Sequence, residues 1–64
     1  MPVINIAMHP VSAEEKQHLI AALTRTAAET TRIPESSFIV FVDEFADEAI
    51  GIGGRTLKEI HAAH

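Results

Sequence analysis

The chain has 64 residues, no cysteine, a hydrophobic fraction of 47% and five Lys and Arg against nine Asp and Glu, for a formal net charge of −4. That length suits one domain, residues 1–64, and the lack of cysteine removes disulfides as a source of reinforcement. The acidic balance argues against nucleic acid, which requires a basic face, and the longest wholly apolar run, Phe38 to Val42, is far below the ~20 residues of a membrane span.

No basic n-region precedes an apolar stretch at the start, so the expectation is a cytoplasmic protein. A domain near this size buries only about 60% of its unfolded surface and is marginal alone. Small proteins compensate with disulfides, metals or association. With disulfides excluded, association leads.

In chain order, Pro2 follows Met1 directly and opens the stretch Val3-Ile4-Asn5-Ile6-Ala7-Met8. Its small side chain favours trimming of Met1, which would leave Pro2 with a free secondary amine. Such an amine titrates near pH ~8 in isolation, and apolar surroundings disfavour its charged form. A neutral amine near physiological pH is suited to general acid–base catalysis. The plain alternative is a proline that starts an edge strand, where its missing N–H costs little.

Val3 to Met8 has strand length and β-branched content. His9-Pro10-Val11 is a connector, with Pro10 biasing His9 toward extended backbone. Ser12-Ala13-Glu14-Glu15 has capping-box spacing, and its two carboxylates suit the first turn of a helix. Leu19, Ile20, Leu23 and Ala27 continue on one helical face to about Arg32, while Lys16, Gln17, Arg25 and Glu29 decorate the rest. Ile33 to Ser37 breaks the helix around Pro34.

Phe38 to Glu44 is the strongest strand, and its uninterrupted apolar run predicts burial on both faces. Phe45 to Glu48 forms a loop, Ala49 to Gly54 a short strand ended by glycines, and Arg55 to His61 a closing helical turn or two. The order strand, long helix, strand implies a right-handed parallel βαβ crossover. The fold class is therefore α+β, with a short C-terminal hairpin. Two parallel strands under one helix leave open edges and a bare apolar face, both resolved if copies pair and stack. A homo-oligomer that completes the sheet is expected.

Met1-Pro2 opening a strand, the Ser12-x-x-Glu15-Lys16 helix start, the βαβ core and Gly51-Ile52-Gly53-Gly54 occur together in this order. Over essentially the whole chain this resembles the 4-oxalocrotonate tautomerase family. The resemblance implies an N-terminal proline acting as general acid or base, hexamers built from dimers, and no cofactor. Pro2 carries the catalytic role over. Family members place an arginine in the connector, another in the second strand and an aromatic residue before Gly-x-Gly-Gly. The matching positions here are His9-Pro10-Val11, Ile39 and Ile50. Guanidinium meets a carboxylate in two parallel hydrogen bonds, which aliphatic side chains cannot do.

Arg55 and His9 are then the candidates to hold a substrate carboxylate or its enolate oxygen, with Ile39 and Ile50 as apolar pocket walls. Each has a bland reading, Arg55 in an interface ion pair and His9 as ordinary surface. Arg25 and Arg32 fit the exposed helix face. Phe38, Phe41 and Phe45 fit a core. The glycine run lacks a nucleotide fingerprint and suits a tight hairpin. His61 and His64 are three apart, yet two ligands do not complete a zinc site, so no metal is expected.

Asp43 and Glu44 fit a solvated strand end, or a water-activating carboxylate in a hydratase or dehalogenase. The expected activity is keto–enol tautomerisation of a small 2-oxo or 2-hydroxy acid. The alternatives are that hydratase-type chemistry and a non-catalytic assembly module.

Overall fold

In the computed structural model, which describes residues 1–62, strand β1 (Val3–Met8) lies parallel to strand β2 (Ile39–Glu44). Helix α1 (Ala13–Thr31) connects them. The register runs from Val3 opposite Ile39 to Met8 opposite Glu44. Ile39 N–H donates to the Pro2 carbonyl at 3.1 Å, and Phe45 N–H to the Met8 carbonyl at 2.8 Å, so both ends of the pair are closed.

Helix α1 starts where its capping box predicts. Glu15 N–H donates to Ser12 Oγ at 3.1 Å, and Ser12 N–H donates back to Glu15 Oε1 at 3.3 Å. Each bond satisfies a backbone donor that the first turn would leave open. The helix ends on Arg32 in left-handed backbone, φ 63 and ψ 24, whose N–H donates to the Ala28 carbonyl at 2.8 Å. A single-turn 3-10 segment, Glu35–Ser37, then feeds β2. Phe38 caps that turn, so the strand begins one residue later than its composition suggests.

Side chains alternate across the two strands. Ile4, Ile6, Met8, Val42 and Glu44 are half-buried on the side that α1 covers, and Val3, Asn5, Ala7, Phe41 and Asp43 are exposed on the other. Phe41 is 51% exposed and Phe45 44%. Within one copy Phe41 and Phe45 are therefore not the core residues expected, while Phe38 is half-buried, and β2 is covered on one face only. The run is apolar on both sides, but this chain supplies only one covering layer.

Beyond β2, a 3-10 turn (Asp47–Ala49) leads to a hairpin of strands β3 (Gly51–Ile52) and β4 (Arg55–Thr56), then helix α2 (Leu57–Ala62). Gly53 and Gly54 have φ of 61 and 85. Two positive φ angles in a two-residue turn match the right-handed twist of the strands they join. Arg55 thus belongs to the hairpin, where it pairs with Ile52. The antiparallel hairpin confirms the fold class read from the chain.

Thr56 and Glu59 form a second capping box at the start of α2. Leu57 N–H donates to the Ile50 carbonyl at 2.8 Å, and His61 Nδ1 lies 2.9 Å from Asp47 Oδ2. His64 lies outside the described residues.

No described residue is fully buried. The radius of gyration is 15.2 Å, against about 11 Å for a compact domain of this length. The accessible surface of 4850 Å² exceeds by about 800 Å² what a folded monomer of this mass usually exposes.

Candidate functional site

The parallel pair has two chemically different ends. At one, Pro2 is half-buried and its carbonyl is fixed by the Ile39 N–H. That bond holds the residue just ahead of β1 against the start of β2. Ile39 is itself half-buried, so an apolar side chain stands at the position next to Pro2.

The other end leads on to His9, Ile50 and Arg55. His9 follows the last residue of β1 and is exposed. Ile50 lines an open apolar pocket of about 290 Å³ together with Ala7, Met8, Phe45 and Ala49. Arg55 sits exposed on the hairpin that follows. Six strand residues at about 3.3 Å each separate the two ends by roughly 20 Å. Within one copy, the structure brings Pro2 to Ile39, while His9 follows β1 and Ile50 follows β2 at the opposite end, and Arg55 lies further along on the hairpin.

At this second end, where β2 finishes at Glu44, lies an interaction that local sequence does not signal. Glu44 Oε1 accepts from Lys16 Nζ at 2.7 Å, and Glu44 Oε2 accepts from Val11 N–H at 2.9 Å. The Lys16 hydrogen bond holds the Glu44 carboxyl below its ordinary value of 4.5, the Val11 N–H adds to this, and partial burial opposes both without prevailing. Glu44 is therefore not a solvated strand end, and Lys16 is not mere decoration of the helix. With both carboxylate oxygens engaged, Glu44 is poorly placed to activate water. Lys16 and Glu44 are 28 residues apart, so only folding makes them neighbours.

Asp43 lies on the exposed sheet face beside Ala7. His61 is engaged by Asp47. Among the described residues, no three His, Asp or Glu side chains gather into a group that could hold a metal. No described helix is long and apolar enough to cross a membrane.

Comparison with known proteins agrees with this architecture. Residues 2–60 match the family described as "Tautomerase enzyme". A probable tautomerase, K2, of Dickeya dadantii is 34% identical over 61 residues, covering 92% of this chain and 91% of that protein. Among solved structures, TomN, a 4-oxalocrotonate tautomerase homologue of the tomaymycin biosynthetic pathway, is 34% identical with a TM-score of 0.91, covering 95% of both chains. A heterohexamer 4-oxalocrotonate tautomerase from Chloroflexus aurantiacus is 26% identical with a TM-score of 0.86, covering 94% of this chain and 98% of that one. The fold, the family match from Pro2 onward and these relatives lead to one conclusion: the chain belongs to the tautomerase family and shares the fold of the 4-oxalocrotonate tautomerases.

Proposed function

We propose that the protein is an isomerase in which the Pro2 amine, freed by removal of Met1, moves a proton in the keto–enol tautomerisation of a small 2-oxo or 2-hydroxy acid. The observation that carries this reading is the place of Pro2. It is half-buried, bonded to β2 through Ile39, and stands at the first residue of the family match. In such a setting desolvation favours the neutral amine. The nitrogen takes a proton from the carbon next to the substrate carbonyl and redelivers it across the conjugated system, with no net redox change and no cofactor.

A complete site needs a second copy. About 20 Å of strand separates Pro2 from His9 and Ile50 of the same chain, which supports a site completed by another copy. A neighbouring copy whose hairpin end meets the Pro2 end would supply Ile50 as a second apolar wall beside Ile39. It would also supply Arg55 or His9 to meet the enolate oxygen. A well-aimed donor to such an oxygen contributes about 10²- to 10³-fold in rate. The bare sheet face and the excess surface of about 800 Å² support association, since a stable interface buries about that area per partner. The assembly proposed is a dimer-based homo-oligomer, a hexamer by analogy with the heterohexameric relative.

The test is ketonisation of phenylenolpyruvate and of simple 2-hydroxydienoates, with intact mass measured on the same sample. The mature mass should lack Met1, and Pro2→Ala should lower turnover by at least about 10²-fold, the contribution of a positioned general acid–base group. A parent protein no faster than buffer, or one that retains Met1, would refute the reading.

A further inference from the structure

We propose that Arg32 is the residue that binds the substrate carboxylate at the Pro2 end, and so sets specificity for an anionic substrate; this rests on the reading of Pro2 given above. The chain has five Lys and Arg residues, and the fold assigns most of them elsewhere. Lys16 is held by Glu44 at 2.7 Å. Arg55 and Lys58 belong to the hairpin end. Arg25 lies on the exposed side of α1, two turns before its end.

Arg32 is different. Lys16 is level with Glu44 at the far end of the sheet, and α1 runs back from there antiparallel to both strands. From Glu44 to Ile39 is about 17 Å of strand, which α1 covers in about 11 residues at 1.5 Å each. That reaches Ala27, level with the Val3–Ile39 pair. Five more residues carry the chain about 7 Å further, level with Pro2 and Met1. The connection from Arg32 to Ile39 is short and folded, through the 3-10 turn, and Ile39 is the residue bonded to Pro2.

The backbone at Arg32 points the same way. With φ 63 it is the one non-glycine residue in left-handed backbone among the described residues. Glycine occupies such helix ends at lower cost, and a strained non-glycine residue suggests that its side chain has a use. Arg32 is exposed and takes part in neither of the ion pairs found among the described residues. A guanidinium presents a planar donor fork that fits one carboxylate.

The experiment compares the parent with Arg32→Gly, Arg32→Lys and, as a charge-matched control, Arg25→Ala. Turnover of 2-hydroxypenta-2,4-dienoate is followed by absorbance, and equilibrium binding of the unreactive acid trans-cinnamate by calorimetry. Arg32→Gly should raise KM by about tenfold or more, the worth of one charge-assisted hydrogen bond, with kcat changed much less. It should weaken cinnamate to the same extent, Arg32→Lys should recover part of both, and Arg25→Ala should leave both near the parent. Because glycine suits this backbone, Arg32→Gly should melt no lower than the parent, which separates the effect from misfolding.

Parent-like KM and cinnamate affinity in Arg32→Gly would overturn the proposal, as would a parent that neither binds nor turns over either probe. A parent that binds cinnamate through Arg32 but converts no dienol would instead remove the Pro2 reading and leave the anion site standing.

Discussion

Replacing Phe41 by Ala tests whether the bare sheet face is an interface between copies. Phe41 is 51% exposed in the isolated chain and projects from the centre of the face that α1 does not cover. Full burial of such a side chain is worth about 1.5–3 kcal/mol, so the half still open would contribute about 1 kcal/mol per copy on association. A two-fold interface counts each substitution twice. The dimer dissociation constant should therefore rise by about 2 kcal/mol, or roughly 30-fold.

Sedimentation velocity across the micromolar range would show the shift, and the melting temperature should depend more steeply on concentration in Phe41→Ala than in the parent. A parent that sediments as a folded species of 7.0 kDa throughout would refute the reasoning. So would a Phe41→Ala protein with unchanged dissociation, since the apolar half-face would then have no partner.

Two further predictions concern the fold that carries the site. Glu44→Gln should lower the melting temperature at neutral pH, because Lys16 and Val11 favour the charged carboxylate. A depressed carboxyl stabilises the fold above its ordinary value of 4.5 and loses that contribution as pH falls through its lowered value. The gap between parent and Glu44→Gln should thus be full at pH 7 and close as the pH drops below 4.5; a gap independent of pH would contradict the assignment. In the hairpin, Gly54→Ala should cost about 1 kcal/mol from left-handed backbone alone, since a Cβ there meets nothing within 4 Å. Gly51→Ala should be tolerated, its Cβ meeting only the Arg55 carbonyl at 3.8 Å; thermal melts that rank the two the other way would contradict this.

Much of what is written in neighbouring residues was legible before folding, although the Thr56–Glu59 box, equally local, starts the last helix two residues later than expected and leaves Arg55 in the hairpin. The Ser12–Glu15 box places the start of α1 because both partners lie within one helical turn, and Gly53-Gly54 marks the hairpin because only backbone conformation is at stake there. The strand–helix–strand order dictates the parallel pair, since a long crossover permits no other simple pairing. Tertiary structure alone decided what depends on distant residues and on direction. It joined Lys16 to Glu44, bonded Ile39 to Pro2 and left Phe41 bare, because one helix can cover only one face of a sheet. It also opened an apolar pocket between Ala7, Met8, Phe45, Ala49 and Ile50, because the turn after β2 folds back beside the end of β1 and brings together side chains distant in sequence.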